Sequence, residues 1–281
     1  MGCKTFYPLA SVIDWSKASL EQRALRFDFY TVLLFEGQVE DFLYGRKPYD
    51  YSNASVVFLM PGESIEIDKS KLFSRRGWLL AFHPDLLCRT SLGAHLPDYT
   101  FFRYGLNEAL HLSLREKTKA VACLLNIAEE LQHAIDGHTK TLISRTIELF
   151  LDYCSRYYER QFITRDEANK KIVRKTDALL DNYIRSGRLK TNLPPSAEYC
   201  ASVLHLSPAY FDDLLKFETG KTLAEYFQFK RLEIAKEMLS EGANTTGKVA
   251  QALGFANVQY FSRLFKKLTG ITPNEYRITR N

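Results

Sequence analysis

The stretch from Lys248 to Arg277, KVAQALGFANVQYFSRLFKKLTGITPNEYR, decides how the region around it folds. Val249, Ala250 and Leu253 have helical apolar spacing, and the helix they predict stops at Gly254, which takes the left-handed conformation of a sharp exit without a Cβ penalty. A second helix restarts after Asn257, an acceptable N-cap. Tyr260, Phe261, Leu264, Phe265 and Leu268 share one face of it, while Gln259, Ser262, Arg263, Lys266 and Lys267 share the other. Two short helices joined by a glycine turn, the second exposing hydrogen-bonding and cationic groups, form a helix-turn-helix pattern. Such a second helix fits a major groove and reaches base edges and phosphates. Taken alone, the stretch also suits an ordinary helical hairpin with a solvated basic face.

An internal repeat removes most of that ambiguity. Tyr210, Phe211, Leu214, Lys216, Thr219, Gly220, Thr222, Glu225 and Tyr226 match Tyr260, Phe261, Leu264, Lys266, Thr269, Gly270, Thr272, Glu275 and Tyr276 at a constant offset of 50. Upstream, Ala201, Leu204, His205 and Leu206 match Ala250, Leu253, Gly254 and Phe255 at an offset of 49. One residue has therefore been gained or lost in the turn, where length costs little. Between the copies, Leu223 to Leu239 predicts one continuous helix. At 18 to 20 residues it would span about 30 Å, close to the ~34 Å between successive major grooves on one side of B-DNA.

These residues carry a family resemblance. The C-terminal hundred residues resemble the paired helix-turn-helix domain of the AraC/XylS transcription regulators, most specifically through VAxxLGFxNxxYFSRLFKKxxGxTPxxYR at Val249 to Arg277. The resemblance implies that the second recognition helix reads bases with Asn257, Val258, Gln259, Ser262 and Arg263, with Lys266 and Lys267 near phosphate. In the first copy it implies Ala209, Tyr210, Asp212 and Asp213 at bases and Lys216 near phosphate. The sequence departs from the family at Asp212-Asp213, where a small polar residue followed by Arg is usual. Residues 196 to 219 carry net −3 and residues 245 to 281 net +5, so the second copy is expected to supply most of the affinity.

Charge along the whole chain agrees with this division. Residues 1 to 169 hold 20 Lys/Arg against 22 Asp/Glu, and residues 170 to 281 hold 18 against 11. The cationic excess of the +5 chain thus belongs to the C-terminal part, as expected of a part that meets a polyanion. Five cysteines with no CxxC pair and no nearby His partner predict neither a disulfide framework nor a zinc site, and fit a reducing cytoplasm, a bacterial one as the resemblance implies. No stretch approaches the ~18 uninterrupted apolar residues of a membrane span.

The N-terminal part has strand texture. Arg26 to Phe35, Ser55 to Met60, Ser64 to Asp68 and Gly77 to His83 are short runs separated by turn residues, predicting a β-sandwich or small barrel over roughly residues 20 to 105. A metal-dependent barrel enzyme would need several histidines and a carboxylate together, whereas His83 and His95 stand apart and no H-x-H occurs. No enzyme chemistry, cofactor or metal is expected. Ser113-x-x-Glu116 is a capping box opening a helix to about Ala134, and Leu142 to Tyr158 marks a second. This hairpin either covers the barrel or pairs with its copy in a second subunit, the arrangement the resemblance favours. Residues 161 to 169 are polar and predict a linker, followed by a helix with Lys170 and Lys171 as phosphate candidates.

The expected architecture is α+β with two domains. A cupin-like β-barrel sensing domain with dimerisation helices (about 113–160) fills residues 1–160, and 161–170 form the linker. Residues 171–281 form an all-α DNA-binding domain with helix-turn-helix units at about 196–219 and 245–270, joined by a long helix. The expected function is a sequence-specific, homodimeric regulator on double-stranded DNA, responsive to a small-molecule effector and able to meet RNA polymerase. Two rivals are a small-molecule-binding cupin-type enzyme with an accessory helical domain, and a regulator whose first unit meets a protein while only the second binds DNA.

Overall fold

The computed structural model describes residues 7–14, 24–36, 50–66, 76–190, 194–241 and 244–280. Cys3 and the predicted strand positions Ile67 and Asp68 lie outside them. The chain divides into two units, Met1–Asp166 and Glu167–Asn281.

The first unit is α+β. Its strands are β1 (Ala10–Asp14), β2 (Ala24–Arg26), β3 (Tyr30–Glu36), β4 (Ala54–Leu59), β5 (Ser64–Glu66), β6 (Gly77–Phe82) and β7 (Leu110–Leu112). Five of them form an antiparallel sheet in the order β1-β6-β3-β4-β7, and β2 pairs with β5 in a separate ribbon. Alternation along each strand sends side chains to two different cores. Val32, Leu34, Val56, Phe58, Leu80 and Phe82 face a helical layer, and Leu33, Phe35, Val57, Leu59, Leu79 and Ala81 pack with Phe27 and Ala109. Both faces are covered, so β3 reads as a continuous apolar run from Val32 to Phe35.

The helical layer comprises α1 (Ser91–His95), α2 (Leu114–Glu130) and α3 (Thr139–Thr164). The predicted capping box is present: Ser113 Oγ accepts from the Glu116 N–H, and Glu116 Oε2 accepts from the Ser113 N–H at 2.8 Å. Leu124 and Ile127 from α2 and Ile143, Ile147, Phe150, Leu151 and Cys154 from α3 bury against the sheet.

One expectation is corrected and one refined. Among the described residues the sheet is open, with β1 and β7 as its edges, so the cupin-like closed barrel is not what the strands form. The reason lies at β7, whose outer backbone groups are taken by α3. The Gln161 amide donates to Ala109 O and accepts from the His111 N–H at 2.8 Å, while Arg160 Nη2 donates to His111 O at 2.7 Å. An edge whose hydrogen bonds are satisfied by side chains recruits no further strand. The predicted linker contains the division between the two units, but its residues are helical and in part packed. Gln161 and Phe162 are buried in the last turns of α3, and Arg165 makes a buried two-pronged pair with Asp50 at 2.7 and 3.0 Å.

The second unit is all-α: α4 (Asp166–Arg185), α5 (Ala197–Leu204), α6 (Pro208–Thr219), α7 (Leu223–Ser240), α8 (Thr246–Ala252), α9 (Val258–Thr269) and α10 (Pro273–Arg280). Phe211, Leu215, Phe227, Ile234, Val249, Phe261 and Phe265 share one core with Leu180 and Ile184 of α4. Tyr226 and Lys230 of α7 bind α4 through Asp177, the phenol donating at 2.7 Å and the ammonium lying at 3.4 Å. No helix of the described residues is long and apolar enough to cross a membrane.

Candidate nucleic-acid interface

The sequence repeat is a structural repeat down to its individual backbone bonds. Leaving α5, the Leu206 N–H returns to Ala201 O at 2.9 Å; leaving α8, the Phe255 N–H returns to Ala250 O at 2.9 Å. These are the same six-to-one closures of a helix C-terminus. The residue at the left-handed position is His205 (φ +57°) in one copy and Gly254 (φ +70°) in the other. Ser207 and Asn257 then cap α6 and α9, accepting from the N–H groups of Tyr210 and Tyr260 at 3.3 and 2.7 Å. With Leu206 aligned to Phe255 and Ser207 to Asn257, the extra residue of the second copy is Ala256.

Downstream the match continues. Gly220 (φ +68°) and Gly270 (φ +84°) end the recognition helices, each N–H donating 2.8 Å to the carbonyl of Lys216 or Lys266. Thr222 with Glu225 and Thr272 with Glu275 form capping boxes that start α7 and α10. In both, the glutamate lies below the ordinary carboxylate range, chiefly because the threonine N–H donates to its charged form.

In the second copy the polar side of α9 is exposed, and so are Tyr260 and Leu268 from the side read as apolar. Asn257, Val258, Gln259, Arg263, Lys266 and Lys267 are exposed and Ser262 is half-buried, whereas Phe261 and Phe265 are fully inside. Asn257 spends its side-chain oxygen on the cap, leaving its NH₂ for another partner. Lys266 and Lys267 lie in the last turn of α9, where cations also complement the helix dipole.

The first copy differs. Asp212 and Lys216 are exposed, Ala209 and Asp213 half-buried, but Tyr210 is only 3% exposed. Tyr210 as a base-reading residue is therefore corrected: with Phe211, Leu214 and Leu215 it belongs to a four-residue buried face of α6, where α9 buries only Phe261 and Phe265. Its repeat partner Tyr260 is 49% exposed. Lys170 and Lys171 are exposed in the first turns of α4, a different helix from either recognition face.

One residue that positions the site escaped the sequence reading. Arg231 of α7 is 6% exposed, donates through Nε and Nη2 to Leu253 O at 3.0 and 2.6 Å, and lies 3.7 Å from the Phe255 ring centroid. It thereby ties the linking helix to the turn that sets α9, and burial lowers its guanidinium to about 10. The available signal was an arginine four residues after Phe227, on a face otherwise apolar.

A family model for a helix-turn-helix domain matches residues 200–278. The chain is 32% identical over 168 residues to a Photobacterium leiognathi protein described as the probable transcriptional regulator LumQ, covering 59% of this chain and 62% of that one. It is 44% identical over 79 residues to the uncharacterized HTH-type transcriptional regulator YobQ of Bacillus subtilis, covering 28% of this chain and 33% of that one. Among solved structures, the C-terminal domain of AraT, a response regulator from Geobacillus stearothermophilus, is 32% identical, with a TM-score of 0.31, covering 39% of this chain and 85% of that domain. The chain thus spans less than two thirds of the length of these two curated relatives. Residues 200–278 thus carry a helix-turn-helix domain of the AraC/XylS type, as the matched transcription-regulator relatives do.

Proposed function

We propose that the protein is a sequence-specific, DNA-binding transcription regulator that places its two recognition helices in successive major grooves. One observation carries this: α6 and α9 have matched caps, and the helix-turn-helix units they belong to are joined by the single 18-residue helix α7, about 27 Å long at 1.5 Å per residue. That length is of the order of the ~34 Å groove repeat, and the helix turns at each end supply further reach. In this reading Arg263 and Gln259 read base edges, and Lys266 and Lys267 neutralise phosphates. Homodimerisation through the α2–α3 hairpin and response to a small-molecule effector in the first unit are what the family resemblance implies, and they complete the proposal.

A second reading has specific support. Asp212 and Asp213 line a cleft of about 440 Å³ with Lys216, Pro195, Leu223 and Phe227. Acidic groups on a recognition helix repel flanking phosphates and suit a cationic protein surface, such as one on RNA polymerase. The two readings separate by footprint. Protection of two adjacent major grooves per subunit supports the first, and one groove the second. At fixed salt, fluorescence anisotropy on a selected site should show Arg263→Ala weakening binding by about 1 to 3 kcal/mol, while Asp213→Arg raises non-specific affinity. A neutral Arg263→Ala with a disabling Asp213→Ala would overturn the assignment of the second helix as the main DNA contact.

A further inference from the structure

Between α2 and α3 the surface forms an open groove of about 990 Å³, lined by Arg115, Lys119 and Arg156 together with Tyr153, Tyr157 and Leu114. Elsewhere in the first unit, cations that are partly buried are matched: Lys117 with Glu36 at 3.1 Å, Arg160 with Glu116 at 2.9 Å, Arg165 with Asp50 at 2.7 Å. Among the described residues, Arg115, Lys119 and Arg156 make no ion pair. The one acid on the groove wall, Glu116, is already taken by Arg160 and by the Ser113 N–H. Three positive charges without an acidic partner therefore line one groove in a unit whose overall balance is slightly acidic, and together they raise the local potential for an anion.

The groove also has a ring-binding wall. Tyr153 and Tyr157 lie one helical turn apart with ring centroids 6.1 Å apart and planes 16° from parallel, and the Lys119 ammonium sits 5.8 Å from the Tyr153 centroid. Burial pushes the Tyr157 hydroxyl up to about 12, so it stays a neutral hydrogen-bond donor near neutral pH. Leu114, 60% exposed at the margin, adds apolar surface. We propose that this groove binds a small polyanion bearing a planar ring, of the nucleotide class, with the arginine forks and Lys119 on its phosphates and the tyrosines against its ring. This site is built from α2 and α3 of the first unit alone.

Isothermal titration of the full-length protein with ADP, pyrophosphate and adenosine as probes tests it. ADP should bind, adenosine should not, and pyrophosphate should bind more weakly than ADP. Replacing Arg115, Lys119 and Arg156 together with Ala should weaken ADP at least about tenfold, as loss of charge-assisted hydrogen bonds requires; all three side chains are exposed, and circular dichroism checks that the fold is kept. Tyr153→Leu should weaken ADP but leave pyrophosphate unchanged. Lys266→Ala with Lys267→Ala, on the proposed DNA face, should leave ADP binding unchanged. Absence of ADP binding, its persistence in the triple variant, or its loss only with Lys266 and Lys267 would overturn the proposal.

Discussion

The two helix-turn-helix units share their caps, their left-handed turns and their glycine stops, yet their recognition helices are used differently. Helix α6 buries Tyr210, Phe211, Leu214 and Leu215 and leaves Asp212 and Lys216 outside; α9 buries Phe261 and Phe265 and leaves Gln259, Tyr260, Arg263, Lys266 and Lys267 exposed. Backbone geometry has been duplicated more strictly than surface chemistry. Caps and turns satisfy groups present in every residue, so they constrain both copies equally, whereas solvent-facing side chains are constrained only by what they meet.

The largest expected break in the symmetry is at the repeated tyrosine. Tyr210→Ala removes a buried aromatic and should lower stability by about 3 kcal/mol, the lower end for truncating a large core ring. Tyr260→Ala, at a position 49% exposed, should stay within about 1 kcal/mol. Chemical denaturation of each variant measures both. Equal losses would mean that the two recognition helices are buried alike and that the asymmetry is wrong.

The turns provide a comparison of opposite signs. At Gly254 an added Cβ would lie 2.5 Å from Leu189 O and 2.6 Å from Leu189 Cβ, in addition to the strain of its positive φ. Gly254→Ala should therefore lose about 1 to 3 kcal/mol. His205 occupies the equivalent left-handed position with an exposed side chain, so His205→Gly relieves strain and should stabilise by less than about 1 kcal/mol, the gain being reduced by the greater entropy of the unfolded chain. Thermal unfolding midpoints decide it. A harmless Gly254→Ala would show that the close approach to Leu189 is not a constraint.

Much of this was legible in the sequence because glycine, threonine and glutamate at fixed offsets announce caps directly. The constant offset of 50 and its slip to 49 located the turn, and the structure assigns the slip to Ala256. The alternation in Phe27 to Phe35 announced a strand, which the structure confines to Tyr30–Glu36 after a bend at residues 28–29, and the unbroken apolar run Val32 to Phe35 was the sign that both faces are covered. Polar residues misled most. Gln161 and Arg165 looked like linker composition, yet they are buried, satisfying a strand edge and a carboxylate whose positions depend on contacts 50 and 115 residues away. Tyr210 misled for a related reason: periodicity placed it on the helix, while its burial depends on tertiary packing that its matched partner does not share.

Electrostatics yields a smaller contrast, read from salt dependence. If Lys266 and Lys267 each neutralise a phosphate, replacing both with Ala should flatten the slope of log K against log salt by nearly 2, at about 0.9 per contact. Lys216→Ala in the acidic first copy should flatten it by less than one contact. Binding titrations between ~50 and 200 mM salt provide the measurement. A larger effect from Lys216 would reverse the assignment of affinity to the second unit.

The smallest expected difference is none at all, at the capping boxes. Glu225 and Glu275 each accept from a threonine N–H in the charged form, at 2.9 and 2.6 Å, and each is lowered from the ordinary value of 4.5. A carboxylate depressed in the folded state contributes stability that is present above its unfolded pKa and is lost as pH falls through the folded one. Both boxes should therefore hold at neutral pH and open together only in acid below pH 4.5. Carboxyl carbon shifts followed by NMR should place both midpoints on the acid side of ordinary glutamate. A normal midpoint for one residue alone would mean that the duplication stops at the recognition helix and does not extend into the helix that follows it.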